Sequence, residues 1–146
     1  MVKSIALYSS EVWGWIEYKE LEKLQEKYIK RSLDLDRSTP GYITMAETDL
    51  DKIRIETGKR AMEYELKIRG GKTDNVILKE CVRVLDMRRK EERNRWINER
   101  RSYLERNGKS CEEFLRLWRK GVQVTEEIIT TDRSTQRQIQ FNKIHH

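Results

Sequence analysis

Ile5, Tyr8, Val12 and Trp15 recur at three-to-four spacing, the pattern of one buried face of a short helix. Gly14, set between Trp13 and Trp15, marks its end. A second stripe runs through Leu21, Leu24, Tyr28, Ser32 and Leu35, while Glu20, Glu22, Lys23, Glu26, Lys27, Lys30 and Arg31 cover the opposite face. Asp36-Arg37-Ser38-Thr39-Pro40-Gly41 interrupts the pattern, with Thr39 as a cap and Pro40 as the first helical residue, where a missing N–H costs nothing. The third stripe, Ala46, Leu50, Ile53, Thr57, Ala61, Tyr64 and Ile68, predicts one sustained helix that Gly70-Gly71 stops. Its weak point is Gly58, about 1 kcal/mol worse than alanine in a helix interior. Three amphipathic helices of this kind can bury their stripes against one another, so residues 1–70 are expected to form a small three-helix bundle.

Beyond Asp74, a candidate N-cap, the apolar positions Ile77, Cys81, Leu85, Trp96, Ile97, Tyr103 and Leu104 are sparse. Between Asp86 and Asn98 the chain is nearly all charge, so a helix there is exposed, bridges two contacts, or lies against nucleic acid. Asn107-Gly108 has C-cap chemistry, and Ser110-Cys111-Glu112-Glu113 reads as a capping box opening a short helix with Phe114, Leu115, Leu117 and Trp118. Gly121 interrupts again, and the Thr- and Gln-rich end is either a helix or a frayed tail. The expected fold class is all-α: a bundle over 1–70 followed by a charged helical linker and tail over 71–146.

Composition agrees with long exposed helices. One proline and seven glycines leave few interruptions, and charged residues make up 38% of the chain against 36% hydrophobic, where about a quarter charged is usual. The net charge is +6, and all of it arises beyond residue 69: residues 1–69 carry 13 bases and 13 acids, residues 70–146 carry 18 and 12. Such an excess suits a polyanionic partner. Cys81 and Cys111 lie far apart with no CxxC and no neighbouring histidine, so reduced thiols are expected rather than a disulfide framework or zinc site. No segment approaches the roughly 18 apolar residues of a membrane span, and no signal peptide is legible. The reading is a soluble intracellular chain, nuclear or cytoplasmic.

Catalytic signals are absent. The two histidines, His145 and His146, stand at a terminus where nothing orients them. Asp34-x-Asp36 and Asp49-x-Asp51 place their carboxylates on different helix faces, which suits helix-end or surface charge rather than a shared metal. No catalytic residue, cofactor or metal is therefore expected. The basic cluster is more informative. Arg83, Arg88, Arg89, Lys90, Arg93, Arg95, Arg100 and Arg101, with Trp96 and Tyr103 interleaved, could track a phosphate backbone, and Lys27, Lys30 and Arg31 form a second strip. The competing reading is a solvated face whose bases pair with Glu91, Glu92, Glu99 and Glu105. The tryptophans read as packing anchors rather than a stacking platform. Base-specific readout is not implied, since no recognition motif is present.

The run Ala6-Leu7-Tyr8-Ser9-Ser10-Glu11-Val12-Trp13-Gly14-Trp15 resembles the Leu-Tyr-Gly-x-Glu-x-Trp-Gly-Trp pattern just after the catalytic palm of non-LTR (LINE-type) retrotransposon reverse transcriptases. Leu21-Glu22-Lys23-Leu24-Gln25-Glu26-Lys27-Tyr28-Ile29 is similar to the Glu/Lys-rich helix that follows there, and Leu35-Asp36-Arg37-Ser38-Thr39-Pro40-Gly41-Tyr42 to its Leu-Asp-Arg-x-Thr-Pro-Gly-Tyr segment. Residues 51–61 and Arg106-Asn107-Gly108 with Glu112-Glu113 are also family-like. The resemblance implies a thumb-like bundle that helps hold RNA or an RNA–DNA template–primer beside the missing palm and fingers, with a linker after it. Ser9 stands where the family usually has Gly. The catalytic Tyr-x-Asp-Asp motif is missing, as no adjacent Asp pair occurs in the sequence, so polymerase activity would belong to the parent protein. Severed from its palm, the first helix would expose Ile5, Leu7, Val12 and Ile16 and favour self-association. The alternatives are a helical interaction or scaffold module and a decayed element without selected function.

Overall fold

The computed structural model describes residues 10, 14–71, 75–87 and 95–145, the side chain of Leu85 excepted. Over these residues the fold is all-α, with seven helices. The first, α1 (Lys19–Ser32), carries Glu20 and Glu22 in its first turn and Lys30 and Arg31 in its last, which complements the helix dipole at both ends.

The third stripe is not one helix but two, α2 (Gly41–Thr48) and α3 (Ile53–Arg69). Asp49 closes α2 in the left-handed conformation, at φ 49°. The first free N–H groups of α3 are then capped from a distance. Ile53 N–H donates to Oε2 of Glu22 at 3.1 Å and Arg54 N–H to Oε1 at 2.8 Å. Burial raises the Glu22 carboxyl above the ordinary carboxylate range, against the opposing pull of these two backbone donors. Pro40 is the residue before α2 rather than its first residue, one position earlier than the sequence suggested.

The remaining helices are α4 (Val76–Met87), α5 (Arg95–Arg106), α6 (Cys111–Arg119) and α7 (Val124–His145). Asn75 caps α4, its Oδ1 accepting from Ile77 N–H at 3.0 Å and Leu78 N–H at 3.2 Å; the candidate cap Asp74 lies outside the described residues. So does most of the nearly all-charged stretch between α4 and α5. Ser110 caps α6 as its sequence implied, its hydroxyl accepting from Glu113 N–H at 3.1 Å. At the end of α5, Lys109 N–H returns to the Leu104 carbonyl at 2.9 Å across Gly108, at φ 82°. Val122 does the same to Leu117 across Gly121, and Leu35 to Lys30 across Asp34. This closure needs one left-handed residue and satisfies carbonyls that the helix leaves open.

The chain's end is a helix of 22 residues. Val124, Ile128 and Ile129 face the core, and lower down Asp132, Gln136 and Gln140 are buried at four-residue spacing. That polar half holds the α2–α3 connection. Gln136 accepts from Lys52 N–H at 2.9 Å and donates to the Leu50 carbonyl at 3.0 Å, and Arg133 Nε meets Asp51 at 2.7 Å.

The principal core cluster is Trp15, Ile55, Ala61, Met62, Tyr103, Leu104, Phe114, Val124, Ile128 and Ile129. It draws on both sides of residue 70, so the 1–70 segment does not enclose it alone. Each fully buried aliphatic or aromatic side chain contributes roughly 1.5–3 kcal/mol of transfer free energy. Gly14 shows how tightly the entry loop closes on α3: a Cβ there would stand 2.0 Å from the Thr57 carbonyl oxygen. Trp15 follows, edge-on to Tyr103 at 5.4 Å and to Trp96 at 6.5 Å between ring centroids. Ile16 is half-buried; Ile5, Leu7 and Val12 lie outside the described residues.

Candidate nucleic-acid interface

Lys27, Lys30 and Arg31 lie on α1 and line a groove of about 740 Å³ together with Lys23, Glu26, Asp34, Leu35 and Arg37. On a helix, residues 23, 27, 30 and 31 fall within a single face, which explains why they gather, and Asp34 joins them from the turn after α1. The wall therefore has five bases against two acids. Among the described residues, none of Lys23, Lys27, Lys30, Arg31 and Arg37 takes part in an ion pair. Lys23, Lys27, Arg31 and Arg37 are exposed and Lys30 half-exposed. Arg37 is brought to the groove by the loop after α1, which Asp36 shapes. Its Oδ1 accepts both the N–H of Ser38, at 2.8 Å, and its hydroxyl, at 2.7 Å. The backbone donor first, and the hydroxyl after it, hold the Asp36 carboxyl below its ordinary range. Beside the cationic face, Leu24 and Tyr28 stand about half exposed.

The C-terminal cluster divides. Arg88, Arg89, Lys90 and Arg93 lie outside the described residues. Arg83 is exposed on α4 but bound to Glu80, its Nε at 2.9 Å from Oε2. Arg95 is exposed, with its Nε 3.9 Å from Glu99. Arg101 is half-buried and engaged. Arg100 is a correction. It is 8% exposed, with Nε 2.8 Å from Glu65 Oε1, close as an ion pair though off the line of the N–H. Its guanidinium stands over the rings of Trp15 and Phe114, at 5.7 and 5.9 Å from their centroids. A base held this way belongs to the core and has no face to offer a phosphate.

Other buried charges are equally committed. Arg54 links Glu17, at 3.5 Å, to Asp132, at 3.2 Å, beneath α7. Desolvation raises the Asp132 carboxyl despite that partner. Glu65 is shared by Arg100 and Arg69, and Arg69 forks onto Asp86 through two contacts of 2.7 Å, tying α4 to α3. Three of the four aspartates in the sequence's Asp-x-Asp pairs have partners of their own. Asp49 faces Arg137 at 3.4 Å, Asp51 faces Arg133 at 2.7 Å, and Asp36 binds Ser38. Among the described residues no cluster of His, Cys, Asp and Glu could hold a metal, and no helix is long and apolar enough to cross a membrane. Both cysteines are free thiols, Cys81 exposed and Cys111 half-buried.

Sequence reasoning placed Lys23 on the charged face of α1 but left it out of the basic strip, and it missed Arg37. Lys23 stands one turn before Lys27 and was legible by that spacing. Arg37 was not, because its position depends on the loop. The chain matches no family model, no curated protein and no solved structure.

Proposed function

We propose that this chain is a non-catalytic helical fragment related to the thumb and linker of a non-LTR retrotransposon reverse transcriptase, and that it holds RNA or an RNA–DNA template–primer electrostatically and without sequence preference. The observation that carries this reading is the α1 face, where Lys23, Lys27, Lys30, Arg31 and Arg37 line one groove with no ion pair among the described residues. From Lys23 to Arg31 the helix rises about 12 Å, the run of three or four phosphates along one strand. The exposed Tyr28 adds an aromatic surface on which a base or sugar can stack. The order of motifs from Leu7 to Tyr42 supports the family relationship, and the α1 face lies within that segment.

The test is anisotropy of a labelled RNA–DNA hybrid at about 50 and about 200 mM salt, the range over which phosphate contacts weaken steeply. Binding should collapse with salt. The triple variant Lys27→Gln/Lys30→Gln/Arg31→Gln should lose about tenfold or more in affinity and flatten the log–log salt slope by about 2–3. A hybrid that does not bind at the lower salt rejects the proposal. Binding that survives this variant but disappears in Arg88→Gln/Arg89→Gln/Arg93→Gln/Arg95→Gln moves the interface to the C-terminal cluster.

A second reading, a helical module that associates with its own kind, is favoured by α4. Val76, Ile77 and Met87 are each more than 70% exposed there, and Val76, Ile77, Cys81 and Val84 line an apolar concavity. It predicts a mass that rises with concentration in light scattering and returns to the monomer in Ile77→Lys. A strict monomer at all concentrations excludes it.

A further inference from the structure

A small cavity lies where α1, α2, the start of α3 and α7 meet. Its volume is about 60 Å³, whereas one water needs only about 10–15 Å³, so it has room for several waters or one small ion. Beside the apolar Met45 and Ile139, its polar lining is lopsided towards donors. Lys52, Arg54 and Lys143 line it with Gln136 and Gln140, and among the described residues Glu26 is the one acid on its wall. Gln136 is spent on the α2–α3 connection. Gln140 is not: it is 8% exposed, and its amide Nε2 is buried with no hydrogen-bond partner. Arg54 Nε is likewise buried without an acceptor, although the two outer nitrogens reach Glu17 and Asp132. Neither Lys52 nor Lys143 makes a salt bridge among the described residues, and the exposed Lys143 lies on the cavity's rim with its Nζ 5.9 Å from the Tyr42 ring centroid. Gly41 and Tyr42, at the start of α2, add two N–H groups that have no acceptor within an α-helix.

An amide donor left buried without a partner costs free energy, and a cavity that converges such donors with two lysines is complementary to an acceptor bearing negative charge. We infer that this cavity binds an oxyanion of the phosphate class, with Gln140, Arg54, Lys52 and Lys143 as its donors. Glu26 opposes that ligand and also lines the cationic groove on α1, so it stands on the wall between the two. Its carboxylate packs against Gly41 at the mouth of α2, within 2.4 Å of where a Cβ on that glycine would be. The ligand is either free phosphate or a backbone phosphate of a nucleic acid seated in the neighbouring groove. The second source rests on the function proposed above, the first does not.

The experiment follows the side-chain amide resonance of Gln140 in the full chain while inorganic phosphate replaces chloride at constant ionic strength. A saturable shift is expected, tightened in Glu26→Gln and weakened by about tenfold in Lys143→Ala, the worth of one charge-assisted hydrogen bond. Repeating the titration with a short RNA distinguishes the sources. If RNA also moves the Gln140 amide, and Lys27→Gln/Lys30→Gln/Arg31→Gln abolishes that movement while inorganic phosphate still acts, the backbone phosphate is the ligand in the complex. If only inorganic phosphate acts, the cavity takes the free ion and the nucleic-acid proposal stands or falls by itself. An amide that responds to neither, or responds equally in Lys143→Ala and Glu26→Gln, overturns the inference.

Discussion

Replacing Glu65 by alanine is expected to destabilise the chain by about 3–5 kcal/mol, the usual cost of removing one partner from a buried ion pair. Glu65 is 4% exposed and sits between two guanidiniums, Arg100 at 2.8 Å and Arg69 at 3.2 Å. Arg69 keeps Asp86 when Glu65 is lost. Among the described residues Arg100 is left with the rings of Trp15 and Phe114, which soften a buried charge without neutralising it. For a domain whose whole stability is roughly 5–15 kcal/mol, that loss takes a third or more. Urea unfolding checks it through the midpoint, with the slope unchanged. The double variant Glu65→Met/Arg100→Met should recover most of the loss, because an apolar pair of similar volume carries no desolvation cost. If Glu65→Ala costs less than about 1 kcal/mol, the value of an exposed pair, then Arg100 reaches solvent and the core is looser than described. The same logic governs mutational work on binding: an Arg100 substitution that abolishes RNA affinity would report folding, not contact.

Gly58→Ala is expected to destabilise by about 1–3 kcal/mol, although helix propensity alone would reward it with about 1 kcal/mol. Gly58 lies in the middle of α3, where a glycine normally weakens a helix. A Cβ at this position would lie 2.3 Å from Tyr103 Oη and 2.6 Å from its Cζ. The ring is 2% exposed, edge-on to Trp15, with the Arg106 guanidinium 5.4 Å from its centroid on another side. It has no room to retreat. Burial, with the nearby Asp132 charge, also pushes its hydroxyl above the ordinary tyrosine range, and that hydroxyl has no hydrogen-bond partner among the described residues. Adding Tyr103→Phe should recover part of the Gly58→Ala loss but not all, since Cζ stays too close. A thermal melt in which Gly58→Ala gains stability would mean that α5 does not seat against α3 at this residue.

Much of the local architecture was legible. The helical spacing from Leu21 onward became α1, although Ile29 rather than Leu24 or Tyr28 is its buried residue and Leu35 lies beyond its end; Ser110 became a cap, and Gly108 and Gly121 became left-handed helix ends, each because the deciding interaction lies within one or two turns. Lys27, Lys30 and Arg31 share one face for the same reason, since helix spacing alone puts them there. The C-terminal half misled where partners are distant. Arg100 looks like its neighbours in a basic run, and only the position of Glu65 on another helix turns it into a core residue. The Thr- and Gln-rich end stayed open between a helix and a frayed tail because its buried residues are polar. Gln136 earns burial through Lys52 N–H and the Leu50 carbonyl, more than 80 positions away.

What the sequence by itself determined is therefore the all-α class, most helix ends, and one cationic face, all products of periodicity and capping chemistry that act over a few residues. Tertiary structure alone decided where α2 ends and α3 begins, which charges are spent in the core, and that the last helix closes the fold. The physical reason is the same in each case. A break in a helix or a buried charge is tolerable only when a donor or acceptor arrives from elsewhere, as Glu22 does for α3, Glu65 for Arg100 and Gln136 for the α2–α3 connection.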